Sequence, residues 1–269
     1  MTADRKPRLP RFRPLRRSLH LIKDGYRYAA FRPSWFRGLH RTFAEALAAA
    51  PRHALTGYDH DAVASGYRVP ELRLAPCDYA LLFHLTRMLA DAGEATVLDF
   101  GGNVGIHYLR YSPYLSDRVR WIVCDLPAIT RVGHELAAAM PALEFVNDIA
   151  ALRVERLDVL LASDAVQYVE TLDPPGRLLQ TLIAQGTAPR HVLFDQLPLQ
   201  EGPTFVTLQN AGPACYPFYV FNRGQFLAGL AGLDYELRAD WNDDAGVFAV
   251  PFHRSRPFLY QGFYFRRRS

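Results

Sequence analysis

The sequence predicts an α/β protein built on a doubly wound, mostly parallel seven-stranded sheet with an antiparallel C-terminal hairpin and an N-terminal helical extension. Three observations carry this. Short apolar runs alternate with helical segments from Thr96 onward, which demands parallel pairing and right-handed crossovers. The first run, TVLDF, stops at a Gly101–Gly102 pair that opens a helix. The last two runs have no helix between them, so they pair as an edge hairpin.

In chain order, residues 1–13 read as a flexible basic arm. A helix starts at Pro14, because proline is well tolerated at a first helical position. Leu15, Leu19, Ile22, Tyr26 and Ala30 then recur at three- and four-residue spacing, with Arg16, Arg17, Lys23 and Arg27 off that stripe. A basic amphipathic helix can lie on an anionic membrane surface. The commoner arrangement is a stripe packed on the protein's own body with solvated arginines, and that is the expectation here. Thr42–Ala50 is a second helix, with Thr42 and Glu45 at capping-box spacing. The polar, aromatic stretch Gly57–Tyr67 follows. A third helix covers about Cys77–Ala90, with Tyr79, Leu82, Leu85 and Leu89 on one face. Strands at 96–100, 119–125, 142–146, 157–163 and 191–195 are then separated by turns and by helices over about Val104–Tyr114, Ile129–Ala139 and Gly176–Ala184. A long loop rich in proline and aromatics is expected over 196–221, then a helix at Asn222–Leu230 and strands at 235–241 and 258–265. The chain thus divides into an arm and amphipathic helix (1–33), a helical extension (34–94) and a sheet domain (95–269).

Composition narrows the function classes. Among 269 residues, 49% are apolar and 22% charged, which excludes a disordered chain and a collagen-like repeat. Three cysteines without a CxxC pair give neither a disulfide framework nor a cysteine-rich zinc site. No run approaches the roughly 18 apolar residues of a membrane span, and the first 20 residues lack the apolar region of a secretory signal, so a cytoplasmic location is expected. Residues 1–41 hold 12 Lys and Arg against Asp4 and Asp24, whereas the rest of the chain is mildly acidic until its terminal arginines. That is not the charge pattern of a nucleic-acid-binding domain. The nine histidines form no HxxxH or HxH pair, so no metal site is expected.

The chemistry sits in VLDFGGNVG, Val97–Gly105, at the first strand-to-helix turn of the sheet. Strand C-termini and a helix N-terminus converge there, and glycines let backbone approach a ligand. The order Gly101, Gly102, Asn103, Val104, Gly105 does not satisfy GxGxxG. Asp99 in the turn would repel a pyrophosphate and suits a cofactor with a cationic amino group, such as S-adenosylmethionine. Asp125 ends the second strand, twenty residues beyond Gly105, where an acidic side chain can accept from ribose hydroxyls. Asp148 ends the third strand, on the adenine side, and Ser163 ends the fourth. Asp148 also reads readily as a helix N-cap, and Asp125 less so, because Leu126–Pro127 must first turn the chain.

VLDFGGNVG resembles motif I of the Rossmann-like S-adenosylmethionine-dependent methyltransferases. Further pieces, SWFRGLHRTFAEALAAAPRHALTGYD, VLDFGGNVGIHYLRY, LASDAVQYVE and VLFDQLP, resemble a family of bacterial methyltransferases of unassigned substrate, often associated with surface-polysaccharide biosynthesis. The resemblance covers about residues 34–265. It implies S-adenosylmethionine as cofactor and methylation, with oxygen on a saccharide or other small polar acceptor as the expected target. Asn103 stands where many members have glycine, and asparagine tolerates left-handed backbone. The alternatives are a non-catalytic scaffold of the same fold and a nicotinamide-dependent sugar-modifying enzyme, the latter disfavoured by the broken GxGxxG. A hydroxyl acceptor needs a base within hydrogen-bond reach. His107, Asp164 and Tyr168 are the candidates, with Asp195 further along; each is also readable as a cap or a packing residue. Tyr216, Phe218 and Tyr219, together with Gly57–Tyr67, can wall an acceptor or simply cover the core.

Overall fold

The computed structural model describes residues 13–68, 70–90, 93–172, 176–254 and 256–268, so the arm before Arg13 lies outside the described residues. The chain begins with α1 (Arg13–Ala30), β1 (Trp35–His40), α2 (Phe43–Ala48), β2 (Leu55–Thr56), α3 (Asp61–Ala64) and α4 (Asp78–Leu89). It continues through β3 (Ala95–Phe100), α5 (Ile106–Tyr111), β4 (Val119–Cys124), α6 (Pro127–Leu136), β5 (Leu143–Val146) and β6 (Val159–Ser163). Next come α7 (Gly176–Ala184), β7 (His191–Gln200), β8 (Phe205–Asn210), β9 (Ala214–Asn222), α8 (Arg223–Ala231), β10 (Tyr235–Phe248) and β11 (Phe258–Arg267). The expected capping box starts α2: Thr42 Oγ1 accepts from Glu45 N at 3.1 Å.

Seven of these strands form the expected core in the order β5-β4-β3-β6-β7-β11-β10. The first five are parallel, and β11 runs antiparallel to both β7 and β10. β3, β4 and β6 are near-continuous apolar runs because both faces of a parallel sheet are covered. Leu98, Ile122 and Leu160 pack with Leu178, Leu182 and Phe226 of α7 and α8. Val97, Val123 and Leu161 pack on the other face with Leu81, Leu85 and Leu89 of α4. On α4 itself Tyr79 is exposed, and Leu81 takes the core position expected for it. The strand order reverses between β3 and β6, and the C-terminal ends of those two strands flank the crevice where such sheets bind ligands.

Residues 196–221 are not a loop. They form the second half of β7, then β8 and β9, and four strands beyond the expected seven join the sheet. β8 pairs antiparallel with β9 and with β1, β2 adds to β9, and β9 meets β7 at Leu199↔Phe221 and Gln200↔Asn222. The segment 34–94, expected to be helical, therefore also supplies β1 and β2. Every residue from Ala214 to Phe221 is buried, so the two-residue alternation of a half-exposed strand is missing. Pro198 and Pro217 sit inside β7 and β9, and proline inside a run argues against a strand.

α1 also departs from expectation. Its stripe is mostly open to solvent: Leu19, Ile22 and Tyr26 are 60%, 70% and 52% exposed, with Tyr26 meeting Trp35 of β1 at its ring edge. Asp24 is the buried side chain that docks, only 3% exposed, beside Tyr28 packed on Phe252 at 5.8 Å. Its carboxylate accepts from Arg254 Nε at 2.9 Å and Nη2 at 2.6 Å, and from Phe252 N at 3.1 Å. At about 100° per residue Asp24 lies on the opposite side of the helix from the stripe. A buried charge is tolerated only when paired, so this pair fixes the helix rotation and turns the stripe outward.

Candidate active site

The turn after β3 is left-handed at every second residue, with φ of +71° at Gly101, +57° at Asn103 and +86° at Gly105. A Cβ on Gly101 would lie 2.3 Å from that of Ala165, in the turn after β6. A Cβ on Gly102 would strike the Asp99 carboxylate at 2.3 Å. Asn103 manages its positive φ with its own amide, whose Oδ1 accepts from Val104 N at 2.8 Å. The backbone N–H of Asn103 donates to Asp125 Oδ2 at 2.8 Å, which ties the glycine turn to the end of β4.

Asp125 is half-buried, and its Oδ1 accepts from Leu126 N at 2.7 Å. Burial pushes its pKa up to about 6 against the pull of those two backbone bonds. Asp99 has no exposed surface. It accepts from Trp121 Nε1 at 3.1 Å and lies 3.0 Å from His107 Nδ1. His107 is therefore turned beneath the glycine turn, where it stacks on Tyr111, whose hydroxyl donates to buried Asp78 at 2.6 Å. Burial alone would lower the His107 pKa; the charge of Asp99 and their hydrogen bond outweigh it and raise the value. Asp148 is exposed and accepts from Ala150 N at 2.9 Å, as the cap of a short 3₁₀ turn. Ser163 is buried, its hydroxyl 3.4 Å from Asp195 Oδ2.

The turn after β6 holds the exposed candidate base. Asp164 stands at φ +49°, and its N–H donates to Asp195 O at 3.0 Å. Its carboxylate accepts from Gln167 Nε2 and from Tyr168 OH. Solvent reaches Asp164 through the crevice, but the surrounding protein and the nearby Asp195 and Asp243 charges outweigh those two bonds and push its pKa up to about 7. Asp195 itself is buried, accepts from Trp241 Nε1 at 2.8 Å, and is raised by burial to about 6.

Four tyrosines form the adjoining wall. Tyr58 lies 5.0 Å from Tyr216 and 6.4 Å from Tyr168 between ring centroids, and its hydroxyl is 2.5 Å from that of Tyr67. The single proton of Tyr168 OH is shared between Gln209 Oε1 at 2.8 Å and the Asp164 carboxylate at 3.4 Å. Burial raises the Tyr58 and Tyr168 pKa values far above the ordinary phenol, so both stay protonated. Of the three aromatics singled out on β9, Tyr216 joins this wall, Phe218 lies behind Tyr168, and Tyr219 packs on Phe43 in the core. The sequence reading missed Gln209, Trp241 and Asp78. No local pattern marks the first two, because β8 and β10 reach the site only through long-range pairing. A groove of about 1570 Å³ lies at the opposite end of the sheet, lined by Thr96, Val119 and Arg156. Among the described residues no cluster of His, Cys, Asp and Glu is arranged to hold a metal ion.

No family model and no curated protein matches the chain. Solved structures do. The N-terminal domain of EvdMO1 with SAH bound aligns over 72% of this chain and 83% of that one, at 11% identity and a TM-score of 0.51. A Listeria monocytogenes protein described as an S-adenosylmethionine-dependent methyltransferase aligns over 73% of this chain and 100% of that one, at 13% identity and a TM-score of 0.50. The chain has the Rossmann-like methyltransferase fold. Identity this low speaks to fold, and function has to be argued from the site. Within the methyltransferase fold, the turns after β3, β4 and β6 bring Asn103, Asp125 and Asp164 to one end of the sheet, beside the tyrosine wall.

Proposed function

We propose that the protein is an S-adenosylmethionine-dependent methyltransferase acting on oxygen of a small polar acceptor, with a saccharide as the favoured class. The observation that carries this is Asp164: a carboxylate open to the crevice, raised to about 7, and seated against the glycine turn through Ala165. A general base works best when its pKa lies near the working pH.

The residues suit the cofactor with one revision. Asp125 keeps exposed surface while each oxygen already accepts one backbone N–H, which leaves lone pairs for a ribose diol. The solved EvdMO1 relative in fold carries SAH, which supports the same cofactor class here. Asp99 has no surface to offer a ligand. Its role in this reading is to hold His107 and Trp121 under the glycine turn, and His107 acts through it as a positioning residue. Asp148 and Ser163 remain at the strand ends as secondary contacts.

When bound, S-adenosylmethionine supplies an electrophilic methyl group. The chain's own residues then hold the acceptor against the tyrosine wall and exclude water from it. Asp164 takes the hydroxyl proton on its carboxylate. Gln167 and Tyr168 orient that carboxylate, and Tyr168, always protonated, serves as donor only. The test is calorimetric titration with S-adenosylhomocysteine, followed by an acceptor screen scored by methyl incorporation. Absence of binding overturns the reading. Binding without turnover on any hydroxyl acceptor moves it to a binding protein of the same fold.

A further inference from the structure

The outward stripe of α1 has an identifiable occupant. Leu19, Ile22 and Tyr26, spaced three and four apart, form a continuous apolar line on the side of the helix that faces away from the body. Tyr26 extends it to half-buried Trp35, edge to face at 6.0 Å. Arg27 stacks over the same Trp35 ring, at 5.3 Å, and Lys23 is exposed one position beyond Ile22. The one carboxylate of the helix, Asp24, is buried and neutralised by Arg254 on the opposite side. The exposed side therefore presents apolar and cationic groups and no anion.

Three occupants are conceivable, and charge separates them. A second copy of the chain would bring two strongly cationic segments together, since residues 1–41 carry 12 Lys and Arg against two Asp. Like charges across a contact oppose it. The preceding residues, with Arg5, Lys6, Arg8 and Arg11, add cations of the same sign and would be repelled in the same way. An anionic surface complements both features. Apolar side chains enter the boundary between head groups and acyl chains while Lys and Arg stay with the head groups. Tyrosine and tryptophan favour that same boundary. Among the described residues no helix is long and apolar enough to cross a membrane, so the contact is one of lying on the surface.

We propose that α1 is a lipid-docking element that seats the protein on an anionic bilayer through Leu19, Ile22 and Tyr26, with the N-terminal Lys and Arg residues supplying electrostatic attraction. This is independent of the methyltransferase reading.

The experiment is flotation of the full-length chain with phosphatidylcholine vesicles that do or do not contain phosphatidylglycerol. We expect binding only to the anionic vesicles, weakened at least tenfold by high salt because exposed charge is screened over the Debye length. Leu19→Asp with Ile22→Asp changes two exposed side chains, so folding and S-adenosylhomocysteine titration should match the parent while vesicle binding is lost. Failure of the parent to float overturns the proposal, as does unchanged flotation of the double variant. Sedimentation velocity supplies the remaining outcome: a dimer that the double variant dissociates, without vesicle binding, assigns the face to a second copy and overturns the proposal.

Discussion

The turn after β3 and the turn after β6 touch, Gly101 against Ala165, and both contain left-handed backbone. They are stabilised in opposite ways. The first is a steric solution: glycines leave room for Ala165 and for a carboxylate with no exposed surface, and the charge is fully partnered. The second is an electrostatic compromise. A non-glycine residue is held at φ +49°, its carboxylate faces the crevice, and two neighbouring carboxylates oppose its ionisation. Backbone strain of this kind costs about 1–3 kcal/mol and persists only where the surroundings enforce it. The contrast separates a scaffold from a reactive group.

Replacing Gly101 by valine should produce the largest effect. It sets a β-branched residue at φ +71° and a Cβ 2.3 Å from Ala165. Overpacking and strain together amount to about 3–5 kcal/mol. We expect a large drop in melting temperature with loss of cofactor binding, measured by thermal denaturation and calorimetry. A folded variant that merely fails to bind would make the turn a ligand contact, not a scaffold.

Asp164→Asn should do the reverse. Activity should fall about 10²–10⁴-fold with loss of a general base. The parent should show a rate that rises with pH and levels off above about 7, and the variant should lack that limb. Stability should move the other way. The folded-state pKa of about 7 lies above the ordinary 3.8, so the parent loses stability as pH rises through that window. The asparagine variant escapes this loss. Its melting temperature should match the parent near pH 4 and exceed it above pH 7. A lower value at high pH would mean that Asp164 is structural.

Asp125→Ala sharpens the contrast on the cofactor side. A charge-assisted bond contributes about 1.5–3 kcal/mol, so S-adenosylhomocysteine affinity should fall at least tenfold. Loss of the Asn103 tether should lower thermal stability only slightly. The smallest effect is expected for Tyr168→Phe, which loses one hydroxyl donor to Gln209 and Asp164. With Asp164 missing a donor to its charged form, the pH midpoint of the rate should move upward, and stability should fall by about 1 kcal/mol.

The same contrast explains what could be read from the sequence. Gly101, Gly102 and Gly105 announce the first turn because only glycine fits there, and the flanking apolar runs give the seven core strands. Asp164 could be placed at a strand end, but its strain and its neighbours Asp195 and Asp243 depend on pairing that local pattern does not encode. Residues 196–221 read as a loop because proline and two-sided burial erase the alternation that marks a strand. On α1 the stripe was legible and its direction was not, since one buried ion pair to residue 254 sets the rotation. His107 was named for its place on α5, whereas its partner Asp99 turns it inward.

The pairing of β1 with β8 has a consequence for the order in which the chain assembles. Trp35 bonds opposite Asn210, and Asp24 meets Arg254, 230 residues later. During synthesis this segment emerges well before β8 and Arg254, the distant partners that seat it. The local β–α–β units from β3 to β7 can collapse meanwhile, because their contacts close short loops, whereas distant closures are slow. That segment is therefore seated late, and its apolar, cationic helix leaves the ribosome well before the Asp24 anchor can form.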